Sequence, residues 1–300
     1  MKVTLVNPRA IHPAPNKIAE ALSQNGHEVK LLVWDRQGTL KGKNGDGYTI
    51  CKFSLKAPYD KFTALFYLPI WWAYEFLFLL RDDSDVIHAC DLTTLMPAIP
   101  AKLIKRVKLC YTIYDFYASN LPEGHLHLAR KLIRSLVASV EKFGIRFAEV
   151  LFLPDECRYE EVRGSRINKL VYVYNSPSDY FEAKQEQELE ATTEINIFYA
   201  GYLDESRGLE EVINAVSELA DVKLTFAGTG PVRDIIEHNL AKLPNLQFIG
   251  QIPYEEVIRR ELAADIPFAF YDPKIPSNRC ARPQACLQRP ASRGCQDSGV

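Results

Sequence analysis

The sequence has no Cys-x-x-Cys pair and no His/Cys cluster at zinc-ligand spacing. Its seven cysteines therefore read as scattered reduced thiols, which pack as small hydrophobes, and not as a metal centre. No Gly-x-Gly-x-x-Gly follows the first strand-like run, VTLVN, which disfavours a dinucleotide-dependent oxidoreductase. Excess charge of either sign is also missing: 36 Lys and Arg face 38 Asp and Glu, a net charge of −2, which argues against a nucleic-acid partner. Met1-Lys2 leads straight into VTLVN without a basic and apolar leader, so the expected location is cytoplasmic. The longest apolar run, Phe62–Leu80, is interrupted by Pro69 and contains Glu75. An acidic side chain costs about 2.5–3.5 kcal/mol at mid-membrane, so this run reads as a buried or surface-lying helix. Its Trp71, Trp72 and Tyr74 would suit a lipid headgroup interface. There is no internal repeat and no low-complexity tract.

What is present is an ordinary globular composition, 47% hydrophobic and 25% charged, arranged as alternating strands and helices. Val3–Asn7, Glu28–Trp34, Val86–Ala89, Leu109–Ile113, Val150–Leu153 and Leu170–Tyr174 read as strands. Helices at Asn16–Asn25, over the aromatic run, near Leu95–Arg106 and at His127–Phe147 separate them. This alternation predicts an α/β fold with a parallel sheet covered on both faces. Aliphatic content collapses in residues 176–194, SPSDYFEAKQEQELEATTE, which reads as an acidic linker. A second α/β run begins at Ile195. The expected organisation is a Rossmann-like domain over residues 1–175, the linker, and a second Rossmann-like domain over 195–279.

The stretch Ile195–Pro231 carries the clearest chemistry. Two β-rich runs, Ile195–Ala200 and Val222–Ala227, each end in a glycine and flank the amphipathic helix Leu209–Leu219. Loops at the carboxyl ends of parallel strands are where ligands of open α/β sheets bind. Gly201 permits close approach of the backbone to a ligand. Arg207 and Gly208 immediately precede a helix N-terminus, where amides and dipole favour anions, and an arginine can grip phosphate oxygens in pairs. Spacing alone also fits Arg207 as a solvated helix-start residue, and Gly228 and Gly230 as an ordinary strand-to-helix turn.

As an ordered set, FYAGYLDESRGLEEVINAV, KLTFAGTGP, NLQFIGQIPYEEV and ADIPFAFYDPKIPSNR resemble the donor-binding domain of glycosyltransferase family 4. GHEVKLLVW, VIHACDLTTLMPAIPA, LCYTIYDFYASN and the run ending VYNSP resemble its acceptor domain, so the likeness spans about residues 1–279. It implies a GT-B fold of two facing Rossmann-like domains with parallel sheets, the second incomplete here. The implied reaction is retaining transfer of a sugar from a nucleotide-sugar donor to a glycan or lipid-linked acceptor, as in polysaccharide assembly. No cofactor or obligatory metal is implied; the nucleotide-sugar is a substrate, and cations with helix N-termini neutralise the departing diphosphate. Arg207 stands where the family usually has a lysine on that diphosphate. Tyr202 stands where many members carry an arginine, and Gly228 and Gly230 match the turn near the nucleotide. The family's Gly-Gly pair after the first strand is replaced by NPRAIHPAP, and Tyr114 replaces a histidine.

On the acceptor side the resemblance singles out His88 and Asp91, in HACD, and Asp115, in YDFY, as candidate catalytic groups. His88 also fits a core histidine, and Asp91 a helix N-cap. Arg130, Lys131, Arg134 and Lys142, with Lys102, Lys105, Arg106 and Lys108, suggest a basic face for peripheral contact with the inner face of the plasma membrane. Residues 280–300, CARPQACLQRPASRGCQDSGV, hold three of the seven cysteines and no Ile, Phe, Tyr or Glu. That tail reads as a disordered, non-native continuation produced by truncation or a frame change, one that would leave the protein inactive. The rival readings are a GT-B nucleotide-sugar epimerase and a non-catalytic nucleotide-binding fragment.

Overall fold

The computed structural model describes residues 1–10, 12–38, 40, 45–58, 63–114, 116–120, 127–174, 194–240 and 242–272. Asp115, nearly all of the acidic linker and the tail from residue 273 lie outside the described residues. The chain divides into two compact units, Met1–Ser178 and Asp179–Val300, each taken by itself.

The first unit runs β1 (Lys2–Asn7), α1 (Pro13–Gln24), β2 (Glu28–Trp34), β3 (Thr49–Phe53), α2 (Ala64–Arg81), β4 (Val86–Cys90) and α3 (Leu92–Lys105). β5 (Lys108–Thr112), α4 (His127–Ile145), β6 (Val150–Leu153), α5 (Tyr159–Val162) and β7 (Leu170–Tyr172) follow. The seven strands order β3-β2-β1-β4-β5-β6-β7, every pair parallel, so the strand order reverses between β1 and β4. Both strands at that switch point are buried along their length apart from Lys2, as the apolar runs VTLV and VIHAC require of a sheet covered on two faces. Pro13 and Pro15 open α1, where a missing amide N–H costs nothing.

Helices α2, α3 and α4 form one layer over the sheet. Gly144 of α4 meets α3 so closely that an added Cβ would lie 2.8 Å from Leu95 Cδ2. Trp71, Trp72 and Tyr74 of α2 pack inward, contrary to the headgroup role their sequence suggests. Trp71 is fully buried and stacked on Trp34 at 5.6 Å. Tyr74 stacks on Phe53 at 4.4 Å, and Trp72 Nε1 donates to the Thr93 carbonyl at 2.6 Å. The physical reason is area: these rings remove the most apolar surface from water when they face the sheet. No described helix is long and apolar enough to cross a membrane. α3 begins at Leu92, three residues earlier than the sequence suggests, and runs through Pro97 and Pro100.

The second unit is β8 (Ile195–Tyr202), α6 (Leu209–Ser217), β9 (Val222–Thr229), α7 (Arg233–Leu240), β10 (Leu246–Phe248), α8 (Tyr254–Ala263) and β11 (Ile266–Pro267). Its four described strands, ordered β10-β9-β8-β11, are again all parallel. Leu203, Leu224, Phe226 and Ile236 form the centre of its core. β8 and β9 run past their expected ends: Gly201 pairs with Gly228 and Tyr202 with Thr229. The glycines are therefore inside the ladder, because only there can the two strands remain in contact.

Candidate functional site

In the second unit, a cavity of about 240 Å³ opens at the carboxyl ends of β8 and β9. Gly201, Tyr202, Gly228 and Thr229 line it, joined by Gln251, Ile252 and Val257 from the start of the α8 segment. Three of the predicted donor-site residues are thus brought together at one sheet edge. Gly228 has φ 138°, and a Cβ on it would fall 1.8 Å from the Gly201 carbonyl oxygen. A Cβ on Gly230 would fall 2.1 Å from the Leu203 carbonyl oxygen. Strand contact alone accounts for both glycines, and the same lack of side chains leaves the cavity open above them.

Arg207 ends a single 3-10 turn, Glu205–Arg207, whose start is capped by Asp204 accepting from the Ser206 amide at 2.9 Å. Gly208 follows in the left-handed region, φ 63°, and caps α6. Arg207 is not among the residues lining the cavity. Its guanidinium lies 4.1 Å from the centre of the Tyr271 ring, and its buried Nε has no hydrogen-bond partner among the described residues. Sequence reasoning missed Tyr271, since nothing in YDP announces a platform for a cation about sixty residues earlier in the chain. Phe270 crowds Gly208, at 2.9 Å from the position of an added Cβ, and the Asp272 amide donates to the Ser206 carbonyl at 3.1 Å. The Phe270–Asp272 segment therefore holds the turn that carries Arg207.

In the first unit, the carboxyl end of β4 at the switch point carries His88 and Asp91. His88 is enclosed, its Nε2 2.6 Å from Thr112 Oγ1 and its ring stacked on Phe152. Burial pushes its pKa down to about 4, so the imidazole is neutral at physiological pH. Asp91 is the residue before α3, with φ 68° and ψ 164°, a backbone region occupied almost only by glycine. Its Oδ1 accepts from the Tyr114 amide at 3.3 Å, and its backbone amide donates to the Thr112 carbonyl at 2.9 Å. The Tyr114 ring in turn lies tilted against His12, 4.9 Å between centroids, and its hydroxyl lies 4.0 Å from Cys90 Sγ. Burial raises the pKa of both that phenol and the Cys90 thiol, so neither ionises near neutrality. Beneath this edge Glu141 accepts from the Tyr111 hydroxyl at 2.7 Å, and burial lifts its pKa to about 7.

The backbone of Asp91 is strained, at about 1–3 kcal/mol, and the surrounding sheet holds it there. Glycine and alanine both remove the carboxylate, but only glycine relieves the strain. Asp91→Gly is therefore expected to be more stable than Asp91→Ala by about 1–3 kcal/mol. Urea titrations of the two variants measure the difference, and equal stabilities would contradict the strain.

Residues 16–176, more than half of the chain, match the family model for Glycosyltransferase Family 4. No curated protein sequence matches. Among solved structures, sucrose-phosphate synthase from Thermosynechococcus elongatus superposes with a TM-score of 0.70 at 14% identity, over 89% of this chain and 74% of its own. The catalytic domain of starch synthase IV from Arabidopsis thaliana, bound to ADP and acarbose, gives 0.60 at 11% identity, over 89% and 77%. Alr3699/HepE from Anabaena, in complex with UDP, gives 0.55 at 14% identity, over 89% and 73%. These likenesses establish the GT-B fold. Together with the family match over its first unit, they make this chain a member of glycosyltransferase family 4.

Proposed function

We propose that the protein is a cytoplasmic, retaining hexosyltransferase that moves a sugar from a nucleotide-sugar to a glycan or lipid-linked acceptor, without a metal or cofactor. The observation that carries the donor half of this reading is the cavity at the ends of β8 and β9, with Gly201, Tyr202 and Gly228 in its walls. Among the neighbours, the Anabaena protein is also described in complex with UDP-glucose, and an S. aureus protein, MnaA, with UDP. Gly208 and Gly230 shape the loops beside the cavity. Arg207 neutralises the diphosphate as the bond between the anomeric carbon and its phosphate oxygen breaks. To reach that diphosphate, the guanidinium leaves Tyr271 or the donor comes to it. On the acceptor side, Asp91 and Asp115 receive the acceptor hydroxyl and its proton, and the neutral, enclosed His88 holds the strand end that leads to Asp91.

Calorimetric titration with UDP, ADP and GDP tests the assignment. Replacing a charged partner of a phosphate removes a strong, paired interaction. Arg207→Ala is therefore expected to weaken binding of the preferred nucleotide by about tenfold or more. Unchanged affinity in that variant would falsify the donor site as drawn.

A further inference from the structure

Arg207 rests on a platform supplied by the segment after β11. Its guanidinium lies over the Tyr271 ring, 4.1 Å from the ring centre. A ring takes up the face of a guanidinium, whereas the N–H donors radiate in the guanidinium's own plane. Stacking therefore fixes the direction of those donors without using one of them. The buried Nε donor has no partner among the described residues, a costly arrangement that an acceptor oxygen relieves. The carboxylate of Asp204, which caps the same turn, is turned instead to the Ser206 amide at 2.9 Å.

The platform is anchored on either side of the ring. Phe270 packs on Gly208, 2.9 Å from where a Cβ would stand, and the Asp272 amide donates to the Ser206 carbonyl at 3.1 Å. The neighbours of Tyr271 thus grip the neighbours of Arg207, and ring and guanidinium are held in register. Tyr199 of β8 lies near both: burial raises its phenol pKa to about 12, the Arg207 charge opposes that rise and Tyr271 adds to it. The Tyr199 hydroxyl also donates to the carbonyl of Tyr202, a residue of the cavity wall, at 2.8 Å. A single side chain, Tyr199, therefore links the stacked pair to the wall of the donor cavity.

We propose that Tyr271 is a positioning residue, which holds Arg207 with its N–H edge already presented to the donor's phosphate oxygens and keeps it on the ring when the donor binds. This rests on the reading of Arg207 as the partner of the diphosphate. A long side chain immobilised beforehand loses less freedom on binding, so the ring raises affinity, and does so through Arg207 alone. The opposite arrangement, a guanidinium parked on the ring and released by the donor, has the opposite sign. Breaking the stack would then oppose binding, and removing the ring would tighten it. The in-plane donors left open by stacking, Nε among them, favour the first arrangement.

Calorimetric titration of the full chain with UDP, ADP and GDP provides the test, with melting curves to show that each variant is folded. Tyr271→Phe keeps a face for stacking and is expected to retain most of the affinity for the preferred nucleotide. Tyr271→Leu is expected to weaken binding by about fivefold. In an Arg207→Ala background the same substitution is expected to change nothing, because the two residues act as one unit. Wild-type or tighter binding by Tyr271→Leu would overturn the proposal, and so would an equal loss in the Arg207→Ala background, the mark of a merely structural ring. If the wild type binds none of the three nucleotides, or Arg207→Ala leaves affinity unchanged, the donor reading itself fails and this proposal with it. Nuclear Overhauser contacts between the Arg207 Nε–H and the Tyr271 ring need no Tyr271 variant. They are expected in the free protein and at saturating nucleotide, and their loss on binding would overturn the proposal.

Discussion

Gly228→Ala is expected to disrupt the second unit and to abolish nucleotide binding with it. The new Cβ would stand 1.8 Å from the Gly201 carbonyl oxygen, inside the pairing of β8 with β9, where no side chain can swing aside. A φ of 138° adds strain for any residue with a Cβ. Relief requires the two central strands of a four-strand sheet to part at their carboxyl ends, and we expect a loss of about 3 kcal/mol or more. Gly250→Ala makes the natural control. Gly250 also has a positive φ, 69°, but open space around its Cβ position, so its cost is the left-handed backbone alone, about 1–2 kcal/mol. Amide exchange across Val222–Thr229 distinguishes the two, and wild-type protection of β9 in Gly228→Ala would refute the packing argument.

Glu75→Met is expected to stabilise the first unit, by about 2–4 kcal/mol at pH 8. Glu75 lies in the middle of α2 with no exposed surface, and neither carboxyl oxygen has a hydrogen-bond partner among the described residues. An unsatisfied buried acid costs stability even when neutral, and methionine fills a similar volume with a flexible apolar chain. Burial holds the folded-state pKa of Glu75 well above its ordinary value. A group shifted upward keeps its full contribution below the unfolded-state pKa and loses it as pH rises toward the folded-state value. Wild-type stability from this residue therefore falls as pH climbs above about 4.5, whereas the methionine variant has no such loss. The gap between the two proteins should widen from pH 5 to pH 8 in urea titrations. A gap of constant size would show that Glu75 does not remain protonated in the fold.

The parallel sheets were legible because their causes are local: VTLVN, EVKLLVW and VIHAC are apolar throughout, and helices of the proper length separate them. The neighbourhood of the donor cavity was legible too, since strand, glycine, helix and strand follow one another within Ile195–Pro231. What stayed hidden depends on contacts between distant residues. Gly201 and Gly228 read as open loops, yet they pair with each other in the ladder. The strain at Asp91 is a property of ψ and φ that no residue type reports. His88 gave no sign of its Thr112 partner, and Arg207 none of Tyr271. The aromatic helix was identified correctly as a helix, but its mean apolarity is so uniform that the sequence did not say which side faces the sheet.

The indole of Trp72 has one more consequence. In an unbroken helix the Thr93 carbonyl would accept from the amide of residue 97, and Pro97 has none. The Trp72 N–H stands in for it at 2.6 Å, from a different helix. The Thr93 carbonyl of α3 thus lacks a donor until α2 has docked. The prolines of α3 make it a poor helix in isolation, and its neighbour supplies the missing donor. The two helices should accordingly appear together during folding, as a single cooperative step, with α3 waiting on a segment that precedes it in the chain.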